Sequence, residues 1–263
     1  MFLTDAHCHL DFPDFDKDRE AMLERARQAG VKRFLLPGTT AATWQRTLKL
    51  AASHPDIYPC LGLHPYFIDE HCEAHLQQLE QLLQEHPQVV AVGEIGIDLW
   101  ADPSPQEQER QWFFFDAQLQ LAKKYQLPVV LHIRKAMDKM TQRLRQVALP
   151  RGGLAHAFSG SQQQAEKLVE LGFKLGLGGA LTYPRAQKLR RVAANLPISS
   201  FVLETDSPDM PLKGYQGQRN EPARIPEVLQ VLAKIRQEEE EYLVEQLEKN
   251  LQSLFAIHQQ VSD

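Results

Sequence analysis

Six side chains in this 263-residue chain have the types and spacing to hold metal: the His7-x-His9 pair, then Glu94, His132, His156 and Asp206. In extended backbone alternate residues share a face, so His7 and His9 present two imidazoles to one cation. Four imidazoles and two carboxylates suit a pair of borderline divalent ions such as zinc, manganese or cobalt. Magnesium, which prefers oxygen donors, is a poorer match. Glu94 and Asp206 also supply negative charge, and a glutamate can bridge two ions. Ions about 3.5–4 Å apart can hold a bridging hydroxide, formed from a water whose pKa falls toward neutrality, and polarise the oxygen under attack. That is the equipment of a hydrolase. Asp206 is placed to accept or relay the water's proton.

Those six residues must be carried to one place by elements far apart in sequence. Short β-branched and aliphatic runs predict eight strands: Phe2 to Thr4, Arg33 to Pro37, Tyr58 to Gly62, Val89 to Gly93, Val129 to His132, Leu154 to His156, Phe173 to Leu177, and Phe201 to Thr205. Between them the helical period recurs at Asp18 to Ala29, Ala42 to Ser53, Glu73 to Glu85, Gln106 to Tyr125, Ala136 to Val147, Ser161 to Leu171 and Ala186 to Asn195. Two more helical stretches, Ile225 to Glu238 and Glu241 to Ile257, follow a Pro-rich loop from Ser207 to Pro222. Eight strand and helix alternations within this length predict an α/β fold closed as a (β/α)₈ TIM barrel, with residues 1–263 as a single domain. Each of the six residues falls at or just past a strand's carboxyl end. In such a barrel those ends converge on one face, where loops build the active site.

The other histidines are a control on this reading. His54, His71, His75, His86 and His258 lie in polar helical stretches and are expected to face solvent. His64 differs, because it follows the third strand in Gly62-Leu63-His64-Pro65, where it either contacts substrate, orients a ligand or serves only the loop.

Composition removes several function classes. The hydrophobic fraction of 43% and charged fraction of 24% are ordinary for a globular protein. The first fifteen residues lack the pattern of a signal peptide, and no apolar run approaches the roughly 18 residues a membrane span needs. A cytoplasmic location is expected, with Cys8, Cys60 and Cys72 as reduced thiols and no obligate protein partner implied. A net charge of −5 argues against bulk electrostatic coating of nucleic acid, so any polyanion contact must be local.

Longer motifs carry a resemblance. The pieces are DAHCHLD at 5–11, GLHP at 62–65, VGEIGID at 92–98, LPVVLHIR at 127–134, HAFSG at 156–160, LETDSPDMP at 203–211 and RNEP at 219–222. Together they resemble the TatD-type DNase family of amidohydrolase-like metal hydrolases, in the pattern of its bacterial YjjV branch. The resemblance implies that His7, His9, Glu94 and Asp206 hold one ion and Glu94, His132 and His156 the other, with Glu94 bridging. It also implies divalent-metal-dependent nuclease activity. The chain departs from the family's usual pattern at Ala157, often a cysteine, and at Asp209, often aromatic; the latter puts another acid at the mouth.

The expected function is therefore a phosphodiesterase or deoxyribonuclease, with DNA or another phosphodiester as substrate. A metal-dependent hydrolase of a small ester, lactone or amide stays open, since the same hydroxide attacks carbonyl carbon. So does a protein that keeps metal for structure alone. Arg134 and Arg219 are the favoured phosphate contacts among the cations after strands five, seven and eight. Tyr66, Phe67 and Trp100 are candidates for base stacking.

Overall fold

A computed structural model of the chain describes residues 2–255. Eight parallel strands run in sequence order: β1 (Leu3–Asp5), β2 (Val31–Pro37), β3 (Ile57–Leu61), β4 (Ala91–Asp98), β5 (Val129–Arg134), β6 (Gly153–Ala155), β7 (Phe173–Leu177) and β8 (Phe201–Leu203). The connecting helices are α1 (Arg19–Gln28), α2 (Trp44–Ser53), α3 (Glu73–Glu85), α4 (Pro105–Lys124), α5 (Met137–Val147), α6 (Gln162–Glu170) and α7 (Gln187–Asn195). After β8 come α8 (Ile225–Arg236) and α9 (Glu240–Phe255). This is the expected (β/α)₈ barrel. The last helix was expected to reach Ile257, and that residue and His258 lie outside the described ones. No helix among the described residues is long and apolar enough to cross a membrane.

The seam between β8 and β1 closes just past the strand ends. The Ala6 amide donates to the Leu203 carbonyl at 2.9 Å, Asp206 to His7 at 2.9 Å and His9 to Ser207 at 2.8 Å. Buried Asp5 adds a side-chain tie, accepting from the Thr205 hydroxyl at 2.5 Å and the Thr205 amide at 2.9 Å. The seam thus fixes the backbone that carries His7, His9 and Asp206.

Strand alternation sorts the core into two layers. Ala6, Leu35, Cys60, Ala91, Val130, Leu154 and Val202 pack with Leu251, Leu254 and Phe255 of α9, which covers the barrel's amino-terminal end. Their neighbours, such as Val92, Leu131, Ala155 and Leu203, join the larger cluster shared with the surrounding helices. Two residues on from Val130, Leu154 and Val202, the period of two points His132, His156 and Glu204 inward above that floor.

β4 departs from the expected span because it continues past Gly93 to Asp98. Unbroken alternation from inward Ala91 would turn Glu94 outward. Instead the register with β5 shifts between Val92 and Ile95, and Ile95 and Ile97 join the helix-facing cluster. This irregularity aims Glu94, Gly96 and Asp98 inward, as bulges beside active sites commonly do. Glycine is needed there: a Cβ on Gly93 would lie 2.6 Å from the Val130 Cβ, and one on Gly62 2.6 Å from the Glu94 carbonyl oxygen. β8, by contrast, stops at Leu203, two residues short of expectation. Asp206 beyond it has φ of 60°, a left-handed backbone that aspartate adopts more readily than most side-chain-bearing residues.

Candidate metal centre

At the carboxyl ends of the strands the six predicted residues meet. His7 Nε2 and His9 Nε2 are 3.2 Å apart. Glu94 Oε2 lies 3.1 Å from the first and 3.4 Å from the second. Asp206 Oδ1 is 3.5 Å from each. Donor atoms around a tetrahedral ion with bonds of about 2.0–2.1 Å stand about 3.3 Å from one another, and the separations of His7 and His9 from each other and from both carboxylates are close to that. The His9 ring is set for the role. Its Nδ1–H donates to the Pro37 carbonyl at 3.2 Å, which leaves the Nε2 lone pair aimed at His7, Glu94 and Asp206.

The other oxygen of Glu94 faces a second group. His132 Nδ1 is 3.2 Å from Oε1, and His156 Nε2 is 3.9 Å from it and 3.7 Å from Asp206 Oδ1. His156 stacks on His7 with ring centroids 3.6 Å apart. One buried carboxylate therefore has an oxygen turned to each cluster, the arrangement expected of a bridge.

His64 also reaches Oε1, at 3.1 Å. Its Nδ1 accepts from the Tyr66 amide at 3.0 Å, so the ring proton must sit on Nε2 and point at Glu94. In that tautomer His64 is a donor and not a ligand. Burial, outweighing the pull of Glu94, lowers its pKa to about 4, which keeps it neutral at pH 7.

The electrostatics are those of closely matched opposite charges. Burial works to raise the Glu94 carboxyl, but His64, His7, His156 and His132 hold it well below its usual range. Asp206 is likewise opposed by burial and held at about 2 by His156, His9 and His7. Burial works to lower His156, while Asp206, Glu204 and Glu94 raise it to about 10. Without metal, protons on His9, His132 and His156, all raised, against burial, by the nearby carboxylates, balance the negative charge.

Two carboxylates missing from the predicted ligand set stand behind the second group. Asp98 Oδ2 is 3.0 Å from His132 Nε2, and Glu204 Oε1 is 3.2 Å from His156 Nδ1. For Glu204 the sequence alone points to entry from the eighth strand and a supporting role, or to an interior acid paired with a cation, and the structure sets it against His156. For Asp98 the signal was hidden, because a strand ending at Gly93 leaves it in a loop.

The centre opens into a cavity of about 560 Å³ lined by His9, His64, Asp98, Arg134, His156 and Asp209, among others. Arg134 stacks its guanidinium 4.4 Å above the Trp100 ring, with the Lys135 ammonium also 4.4 Å from it; Trp100 is 56% exposed. Tyr66 and Phe67 line the same cavity. Arg219 was expected there and is elsewhere. Its guanidinium clamps Asp18 with two 2.7 Å bonds, donates to the Asp14 carbonyl and covers the Phe15 ring. His71, expected at the surface, is buried and bonded through Nε2 to the His64 carbonyl at 2.9 Å. A larger cleft of about 690 Å³, lined in part by Tyr58, Gln126 and Phe255, holds none of the candidate metal ligands.

The sequence matches the family described as TatD related DNase over residues 4–256. The chain belongs to the TatD family. An uncharacterized metal-dependent hydrolase, YjjV of Escherichia coli K12, is 49% identical over 254 residues, covering 96% of this chain and 97% of that protein. The crystal structure of the Escherichia coli TatD homolog YjjV superposes with a TM-score of 0.94 at 48% identity, covering 97% of this chain and 98% of that one. A protein of Rahnella named 3'-5' ssDNA/RNA exonuclease TatD is 36% identical over 258 residues, covering 95% of this chain and 96% of it. As a TatD-family member the chain is a metal-dependent hydrolase, and its His, Glu and Asp clusters have the donor chemistry that description requires.

Proposed function

We propose that this chain is a two-ion phosphodiesterase that hydrolyses single-stranded nucleic acid. The observation that carries the reading is the split allegiance of Glu94, with Oε2 turned to His7 and His9 and Oε1 to His132. Two donor groups sharing one carboxylate suit two divalent ions; the mixed nitrogen and oxygen donors favour zinc, manganese or cobalt over magnesium. His7, His9, Glu94 and Asp206 would hold the first ion, and Glu94, His132 and His156 the second. When bound, such a pair lowers the pKa of water and stabilises charge on the attacking and leaving oxygens.

The protein's own groups supply the rest. Asp206 uses Oδ1 toward the imidazoles, and among the described residues no hydrogen bond engages Oδ2, which is free to take the proton from the attacking water. His64, neutral and with its proton on Nε2, donates to a phosphoryl oxygen when substrate displaces its contact with Glu94. Arg134 at the rim supplies local positive charge for a phosphate, and exposed Tyr66 in the same cavity wall offers a face to a base. Relatives named as ssDNA/RNA exonucleases support this substrate class.

A second reading, a hydrolase of small esters, lactones or amides, is favoured by Asp209 in the cavity wall and by the commitment of Arg219 to Asp18. Both reduce the attraction for a polyanion. End-labelled single-stranded DNA and RNA, and a panel of carboxylic esters, lactones and amides, should be tested with zinc-, manganese- and cobalt-loaded protein, with and without chelator. Metal-dependent shortening of the strands is expected. Inertness on every phosphodiester beside turnover of a carbonyl substrate would replace the first reading with the second.

A further inference from the structure

The two imidazoles assigned to the second ion are wired in opposite senses. His132 turns Nδ1 to Glu94 and Nε2 to Asp98, whereas His156 turns Nε2 to Glu94 and Asp206 and Nδ1 to Glu204. A neutral imidazole carries one ring proton, so each can ligate only when that proton sits on the nitrogen facing away. We propose that Asp98 and Glu204 are positioning residues that fix these opposite tautomers and thereby set the affinity of the second site. The inference rests on the two-ion reading above.

The two carboxylates do this with different wiring. Asp98 uses both oxygens: Oδ2 meets His132 Nε2 at 3.0 Å, and Oδ1 accepts from the Trp100 amide at 2.8 Å. Glu204 concentrates its work on one oxygen, since Oε1 accepts from the Ala157 amide at 2.6 Å and touches His156 Nδ1 at 3.2 Å. That second contact is out of line for a hydrogen bond, so His156 Nδ1 is buried without a partner, and the other Glu204 oxygen, Oε2, is buried without one as well. His156 Nε2 is also the donor set furthest from Glu94, at 3.9 Å. In the metal-loaded protein the His156 Nδ1–H is expected to bond to Glu204, whose Oε1 already lies 3.2 Å away. Space for this carboxylate is built in, because a side chain on Gly176 would collide with it.

The wiring makes the amide variants unequal. In Asp98→Asn the new NH₂ must face either the Trp100 amide or His132. Facing His132, it forces the ring proton onto Nδ1, where it points at the ion's position. In Glu204→Gln the amide oxygen can keep the place of Oε1 while NH₂ takes the unpartnered place of Oε2. Loss of a carboxylate behind a metal-bound histidine typically weakens metal binding by about 10–100-fold. Asp98→Asn is expected to weaken the second zinc equivalent by that factor, Glu204→Ala likewise, and Glu204→Gln by less than about 3-fold.

Zinc titration with a chromophoric competitor reads both equivalents, and tight binding of the first reports that each variant is folded. In the zinc-loaded wild type, ¹⁵N imidazole shifts should place zinc on Nδ1 and the proton on Nε2 for His132, and the reverse for His156. Two tight equivalents in the wild type with an unshifted second equivalent in Asp98→Asn and Glu204→Ala, or the same tautomer at both rings, would overturn the proposal alone. Fewer than two equivalents in the wild type would overturn the two-ion reading and this inference with it.

Discussion

Glu94 and its imidazole partners decide what this centre can be. His7 and His9 approach through lone-pair-bearing nitrogens, which requires a cation between them, either a proton or a metal. The raised pKa of His156, about 10, means that metal must displace protons at neutral pH. Loading the metal-free protein with zinc at pH 7 in weak buffer should therefore release protons, and affinity should fall as the pH is lowered; isothermal titration in buffers of different ionisation enthalpy measures this. His132→Ala removes one donor at the barrel mouth and none of the central packing. It should lose the second equivalent and most turnover while keeping its melting temperature within a few degrees; elemental analysis and thermal melts check the two halves. Most of this layer was legible in the sequence, because His-x-His and the histidines two residues beyond buried aliphatics follow strand parity. His71 was not, since its packing against Phe114 and its bond to the His64 carbonyl are tertiary contacts that no local pattern announces.

At the level of elements, the irregular register of β4 carries the site. Gly93 permits the close approach to β5, so Gly93→Ala pushes a methyl into Val130 and should cost roughly 1–3 kcal/mol of stability, as overpacking does. It should also cost both metal equivalents by turning Glu94; denaturant unfolding and metal analysis on the same sample measure the pair of effects. Glycines at 93 and 96 interrupt the aliphatic run, so the expected strand stops at Gly93 and leaves Asp98 in a loop, whereas β4 runs through to Asp98. Arg219 illustrates the opposite error. It follows β8 in sequence, but its fork finds Asp18 just before α1, holding that carboxyl at about 2. Both groups are partly exposed, so Arg219→Ala is expected to cost less than about 1 kcal/mol and to leave kcat/KM unchanged. A large rise in KM would restore it as a substrate contact.

Over the whole molecule, the barrel has chemistry at one end and a polar plug at the other. Glu248 of α9 accepts from the Thr4 hydroxyl at 2.8 Å and lies 3.7 Å from Arg33. Burial, outweighing both partners, raises its pKa from the usual 4.5 to about 7. The folded chain then holds a proton that the unfolded chain releases, so this group makes stability fall as pH rises from about 4.5 through 7, by on the order of 3 kcal/mol. Glu248→Gln should remove that part of the slope, and urea unfolding of both proteins at pH 5 and 8 gives the difference; a constant difference would contradict it. The alternation of elements made the barrel readable from sequence. How α9 covers its floor was not, because a helix's amphipathic face does not say which surface it will meet.

The central claim is that Glu94 lies between two bound ions. Anomalous diffraction at the zinc edge from zinc-loaded crystals tests it most directly. Two peaks are predicted, one among His7, His9 and Asp206 and one beside His132 and His156, with the Glu94 carboxylate touching both. A single peak in that cavity, or zinc bound away from Glu94, would contradict it.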